Sequence, residues 1–275
     1  MKKTGMILFI LLLVLSLSTG CSNQENSITE SNNTTDNNLE QISNKASQSD
    51  ADMFTDRDYR TAYDENESIL IHLNGDSATA SSNSVKISGS TVQITEEATY
   101  IISGTLNNGI ILVDAEDTAK LQIVLNGVSI TNESSAALYI LSADKVFVTL
   151  AEGTENTLAN GGSFIAIDEN NIDAVVFSKQ DLTFNGTGNL IITSPNGNGI
   201  VGKDDLVFTG GNYTINTSSH GIEANDSVRI TGTTQITVDA GKDGIHCENN
   251  DDTSLGFIYI SAGTLNIEAE GDGIS

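Results

Sequence analysis

Four stretches of this chain repeat one pattern at nearly one interval. They are SKQDLTFNGTGNLIIT (178–193), GKDDLVFTGGNYTIN (202–216), NDSVRITGTTQITVDA (225–240) and LGFIYISAGTLNIEAE (255–270). Each holds a short alternating segment, a Gly-containing corner and a second alternating segment, and each is linked to its neighbours by a turn carrying Gly-Ile. The turn glycines are Gly199, Gly221, Gly244 and Gly273, spaced 22, 23 and 29 residues apart, the last interval lengthened by ENNDDTS. Looser copies lie upstream in AKLQIVLNGVSIT (119–131) and ADKVFVTLAEGTENTL (143–158). Alternation of Val, Ile, Leu or Phe with Thr, Asn, Ser or Arg over about five residues is the half-buried strand signal, and no segment sustains a 3.6-residue period. A unit of about 22 residues cannot cover its own apolar face, so it must stack on copies of itself. The repeat therefore predicts an all-β chain, a parallel β-helix of 22–29-residue coils. A propeller blade needs about 40 residues, and the Leu/Asn consensus of leucine-rich repeats is absent.

The alignment predicts inward ladders. Leu182, Leu206 and Val228 form one, beside Phe184, Phe208, Ile230 and Ile260. Tyr213, Ile236 and Leu265 form another, beside Ile215, Val238 and Ile267, and the turn isoleucines Ile200, Ile222, Ile245 and Ile274 form a third. In this reading the turn glycine supplies a backbone conformation that a β-carbon would oppose, and the isoleucine re-enters the core one rung on. Cys247 is read as a small buried member of the ladder.

The acids around the turns need a further account. Equivalent positions of a parallel coil lie about 4.8 Å apart, so repeats become columns. The residue before Gly-Ile runs Asn198, His220, Asp243, Asp272, and the position five after the glycine runs Asp204, Asp226, Asn249. Stacked carboxylates repel unless a cation bridges them. Asp243 and Asp272, with Glu248, Asp251 and Asp252 in the inserted loop and Asp239 and Glu268 four residues before the aspartates, offer the oxygen ligands that calcium takes. The competing reading is a solvated acidic edge. The spacing matches neither an EF-hand nor the nine-residue Gly-Gly-x-Gly-x-Asp repeat. His72, His220 and His246 share no spacing for zinc and read as structural or surface residues.

Residues 1–21 read as a secretory signal: Lys2 and Lys3, an apolar run from Met6 to Leu17, then small residues and Cys21. The arrangement resembles a bacterial lipoprotein signal, with Ser18 where leucine is usual, and implies acylation of Cys21 and a lipid anchor to the membrane. Residues 22–55, rich in Asn, Ser, Thr and acids, cannot build a core and read as a disordered tether; residues 56–275 are assigned to the folded domain. With Cys21 acylated, Cys247 has no disulfide partner. The formal charge of −25 becomes −27 once Lys2 and Lys3 are removed, which argues against nucleic acid or anionic lipid and favours cations as counterparts.

SKQDLTFNGTG, GKDDLVFTGG, HGIEANDSVRITG and KDGIHCENND, with the upstream IHLNGDSATASSNSVKISGSTVQITEEATYIISGTLNNGIILVDA, resemble a bacterial extracytoplasmic carbohydrate-binding family, over roughly Ser68 to Ser275. The family is typified by a clostridial surface protein that binds cellulose and acidic pectin. The resemblance implies a right-handed, calcium-containing, pectate-lyase-like β-helix at the cell surface, with a uronate-containing polysaccharide or cellulose as partner. Family members continue through further rungs and a cap. This chain stops inside a D-G-I turn, which points to a truncated product or an incomplete copy.

Catalysis is not expected. Pectate lyases use calcium and an arginine base, but Arg229 is the only arginine of the repeat body and reads as an outward strand residue between Val207 and Tyr259. The Asn-Thr-Asp and Gly-His-Gly elements of polygalacturonases are missing. Arg229, Lys203, Lys242 and Tyr259 are the candidate sugar contacts, and the absence of Trp speaks against a flat stacking platform. The alternatives are a surface adhesin or spacer without a sugar ligand and, behind it, a lyase.

Overall fold

The computed structural model describes residues 50–275; the signal segment, Cys21 and most of the tether lie outside the described residues. Apart from one helical turn, Asp50–Met53, the regular structure is strand. One coil can be followed from Asn198–Gly202 on a first face, through Asp205–Phe208 on a second, to Asn212–Thr217 on a third. The next coil repeats the path in Ile222–Ala224, Ser227–Ile230 and Gln235–Ala240, and each strand pairs in parallel with its equivalent. This is a three-faced parallel β-helix. The second and third faces are continuous at the N-terminal end, because the 13-residue strand Lys120–Asn132 bends from one to the other and pairs with Lys145–Leu150 and Glu155–Asn160 in turn.

The ladders fall as the alternation predicts. Leu182, Leu206 and Val228 are in register, Phe184, Phe208, Ile230 and Ile260 run beside them, and Tyr213, Ile236 and Leu265 line the third face. Phe184 and Phe208 stack at 5.1 Å with Tyr213 edge-on to both, an arrangement worth about 0.5–1.5 kcal/mol per aromatic pair beyond area burial. Ile200, Ile222 and Ile245 are fully buried, and Ile274 bridges to Ile245. The exceptions are in the last coil, where nothing is stacked on Ile260 and Ile274 and they are 41% and 46% exposed. Cys247 is free and buried, and burial pushes its thiol up to about 11.

The turn glycines have a different cause from the one expected. Gly199, Gly221 and Gly244 do not adopt positive φ. A Cβ on Gly221 would lie 2.6 Å from the carbonyl oxygen of Gly244 and 2.5 Å from Val238, and one on Gly199 would lie 2.6 Å from the carbonyl oxygen of Gly221. Each glycine is packed under the next, so close approach rather than backbone conformation excludes a side chain.

The folded body also begins earlier than residue 56. Residues 53–63 form a strap across the outer side of the second face. Met53 and Phe54, which the composition assigns to the tether, are buried against Val207, Phe257 and Tyr259, and Tyr63 packs on Ile101, Val124 and Ala151. Asp58 fastens the strap: its carboxylate accepts from Thr183 Oγ1 at 2.6 Å and pairs with Lys145 Nζ at 2.9 Å, while its carbonyl accepts from Thr209 and Asn185. Among the described residues, the outer side of the first face is covered only in its upper, N-terminal rungs, where Phe164 and Ile172 pack with Tyr139, Phe177 and Val201.

Candidate functional site

The strap changes the meaning of the outward arginine. Arg229 does lie between Val207 and Tyr259, but it is not a solvated strand residue. It pairs with Asp205 at 2.8 Å, donates to the Met53 carbonyl at 3.2 Å and lies over the Phe257 ring. Tyr259 is half-buried against Phe54. Both are half-buried beside the strap. Of the two lysines, Lys203 lies 3.9 Å from Glu223 and over the Phe177 ring, whereas Lys242 is exposed in the turn.

The acids proposed for one calcium site are spread over three places. Asp239 and Glu268 are in register on the exposed outer side of the third face. Asp243 and Asp272 stack at the turn between the third and first faces. Asp251 and Asp252 sit in the inserted loop, where their N–H groups donate to Asn249 Oδ1, and Asn249 in turn donates to Asp226 at the next corner. Within the stacked pair the Asp243 carboxylate is hydrogen-bonded inside the chain: the Asp272 N–H donates to Asp243 Oδ1 at 2.8 Å and Ser275 Oγ donates to Asp243 Oδ2 at 2.9 Å. The Asp272 N–H and Ser275 hydroxyl, working against modest desolvation and joined by the two neighbouring histidines, hold the Asp243 carboxyl below the usual range.

Asp204 and Asp226 behave as repelling neighbours. Burial first, then the charges of Asp181, Asp226 and Asp205, push Asp204 up to about 6. Burial and Asp205 also raise Asp181, against the pull of Lys145. Asp205 pairs with Arg229 and accepts from Ser227.

Two further features were not legible as sites. A cleft of about 280 Å3 opens on the lower first face, lined by Glu223, Asn225, His246, Glu248, Asn249 and Asp251 among others. Glu223 accepts from Asn198 Nδ2 at 3.1 Å and stacks on His246 in the next rung. A second cleft, of about 240 Å3, lies beside the strap and gathers Arg57, Arg60 and Lys120 with Gln122 and Phe147. There Arg57 donates to the Lys120 carbonyl and lies 4.7 Å over Phe147. Arg57 and Arg60 precede the repeats, so counting arginines within the repeat body passes them by.

The histidines also depart from the expectation. His220 and His246 occupy different positions of the repeat, one before the glycine and one after the isoleucine. The turn nevertheless folds their rings into a stack 4.8 Å apart. Both Nδ1 atoms face Asp243 Oδ2, at 3.5 Å from His220 and 3.2 Å from His246.

Residues and geometry together define a three-faced parallel β-helix with one strapped face and one face opening into a cleft of carboxylates and amides. A family described as carbohydrate-binding domain-containing protein matches residues 88–275, and the chain belongs to that family. A carbohydrate-binding domain-containing protein of Acetivibrio thermocellus is 41% identical over 133 residues, 48% of this chain and 46% of that protein, so the match spans about half the length of this curated relative. The solved structure of a polysaccharide lyase-like protein from C. thermocellum, a gadolinium derivative, superposes with a TM-score of 0.71 at 31% identity, over 76% of this chain and 94% of that one.

Proposed function

We propose that the protein binds an acidic polysaccharide at the bacterial cell surface without cleaving it, with calcium joining protein carboxylates to sugar carboxylates. The observation that carries this is the open cleft of Glu223, Glu248 and Asp251 with the amides of Asn225 and Asn249, in a chain of a carbohydrate-binding family. Amides and carboxylates hydrogen-bond sugar hydroxyls, and a hard dication with six to eight oxygen ligands is shared readily between two sets of carboxylates. The crowded Asp204 and Asp226 offer a second place where a cation would relieve repulsion. Binding without cleavage is favoured because the lyase base considered from sequence, Arg229, is tied to Asp205 and Met53 beneath the strap. Acylation of Cys21 would hold the domain at the membrane.

The test is calorimetric titration of the protein with polygalacturonate and with cellulose oligomers, in calcium and in chelator. Saturable binding of polygalacturonate in calcium, weakened at least tenfold by chelator and without release of unsaturated uronides, is the expected result. Release of unsaturated uronides would make the protein a lyase. Absence of binding to either polymer would leave the adhesin or spacer.

A further inference from the structure

The turn that was expected to hold calcium carries a donor set of a different kind. Among the described residues, His220, Asp243 and His246 are the one group of three or more His, Cys, Asp or Glu side chains whose ligand atoms all lie within 4.8 Å of one another. From these residues we infer a site for a borderline-soft divalent transition metal, with zinc as the natural occupant, bound by His220 Nδ1, His246 Nδ1 and Asp243 Oδ2.

Two of the three ligand–ligand distances have the length of a coordination-polyhedron edge. With metal–nitrogen and metal–oxygen bonds of about 2.0–2.1 Å, two ligands at a tetrahedral angle lie roughly 3.3–3.4 Å apart. The two Nδ1–Oδ2 separations, 3.5 and 3.2 Å, bracket that edge. Imidazole nitrogens suit zinc and copper, whereas calcium takes oxygen, so two histidines select against the cation assigned to this turn from its aspartates.

The surroundings orient the Asp243 carboxylate and touch both rings. Asp243 Oδ1 is fixed by the Asp272 N–H, which leaves Oδ2 facing the rings. His246 Nε2 lies 3.7 Å from Glu248 Oε2, beyond hydrogen-bond distance but close enough for the carboxylate to shorten onto the ring once a metal holds Nδ1. His220 Nδ1 accepts a bond of 3.3 Å from the Asp243 N–H, which a metal at that nitrogen would displace. Ser275 Oγ lies within hydrogen-bond distance of both His246 Nδ1 and Asp243 Oδ2 and is placed to bond a water in the fourth position. His246 also lines the open cleft of the first face, which gives an ion access from solvent. The turn explains how two dissimilar repeat positions meet: stacking sets His246 one rung below Glu223, and the glycine-packed corner brings His220 beside it.

The experiment is titration of the metal-free protein with zinc by calorimetry and with cobalt(II) by visible absorption. One equivalent is expected to bind with micromolar or tighter affinity, the cobalt form showing the intense visible bands of a four-coordinate site. His220→Ala and His246→Ala should each weaken binding at least a hundredfold, and millimolar calcium should leave bound zinc in place. Because either variant could lose the turn, melting temperatures are measured in chelator, and the cobalt spectrum of the unaltered protein stands independently of them. Absence of saturable binding, a weak six-coordinate cobalt spectrum, equal affinity in a folded His220→Ala/His246→Ala protein, or displacement of zinc by calcium would each overturn the inference.

Discussion

The outer sides of the second and first faces have the same sequence texture and opposite fates. Column neighbours on the second face run Gln122, Phe147, Thr183, Val207, Arg229, Tyr259; those on the first run Phe177, Val201, Glu223, His246. Both mix apolar and polar outward residues. The second is roofed by the strap, so its charges have partners inside the protein: Arg229 with Asp205, Lys145 with Asp58. The lower first face is left open, so Glu223 and His246 line a cleft. The difference teaches that an outward charge on a β-helix is a candidate ligand contact only where nothing else in the chain lies over it.

The comparison is broken most severely by removing the strap's anchor. Asp58 is 1% exposed. Burial by itself would raise its pKa, but the Thr183 hydroxyl, the Lys145 charge and the Thr55 N–H outweigh it, and the net shift is downward. Its stabilisation is therefore present above the ordinary carboxylate value of 3.8 and lost as pH falls through the lower folded value. Asp58→Ala leaves the half-buried Lys145 without its partner and strands the Thr183 and Thr55 donors, and is expected to cost about 2–4 kcal/mol at pH 7, read by urea denaturation. The loss should shrink below pH 3.8. A cost under about 1 kcal/mol at pH 7 would mean that the strap is not part of the cooperative fold.

Next in size is Arg229→Ala. It strands the Asp205 carboxylate and removes the bond to the Met53 carbonyl, at an expected cost of about 1–3 kcal/mol. Affinity for polygalacturonate should stay unchanged. A variant of full stability that no longer binds would return Arg229 to the site and show the strap to be displaceable.

The fold was legible because stacking turns sequence period into spatial register: one Gly-Ile interval places every ladder from Leu182 to Ile267. The strap was not legible because it is a single copy. Met53 and Phe54 are two apolar residues in a polar stretch, and nothing in their spacing announces the column they cover. The columns of acids were read correctly as neighbours, but the calcium reading treated distance along the chain as distance around the coil. Asp239 and Asp243 are four residues apart, yet one lies on a flat face and the other on a corner. The two histidines failed from the other side: columns compare like positions only, and His220 and His246 meet between unlike ones.

Smaller and of opposite sign is Asp204→Asn. Asp204 sits at the corner joining the two compared faces, with its pKa pushed up to about 6 by burial and by Asp181, Asp226 and Asp205. A raised folded pKa means a contribution present below the ordinary 3.8 and lost as pH rises through about 6. The amide should therefore stabilise the protein above pH 6, by on the order of 1–2 kcal/mol after discounting for solvent screening, and give no gain at pH 4. Thermal melts at the two pH values check the sign. Calcium should raise the melting temperature of the unaltered protein at pH 7 more than that of the variant; an equal rise would place the ion elsewhere, with the first-face cleft as the remaining candidate.

Glu223→Gln isolates the open face with the least disturbance to the fold. Glu223 accepts one hydrogen bond from Asn198 and faces Lys203 at 3.9 Å, and the amide oxygen of Gln can keep the first while the charge is lost. A half-buried residue with so little tying it down is expected to shift stability by no more than about 0.5 kcal/mol. Its affinity for polygalacturonate in calcium should nevertheless fall at least tenfold, because the carboxylate is a shared ligand of the bridging cation in the proposed mode. Arg229→Ala and Glu223→Gln thus form a crossed pair: one changes stability without binding, the other binding without stability. If Glu223→Gln binds as the unaltered protein does, calcium does not act through the first-face cleft. The cationic cleft of Arg57, Arg60 and Lys120 beside the strap would then be the surface to alter, since it could hold a uronate carboxylate without a bridging ion.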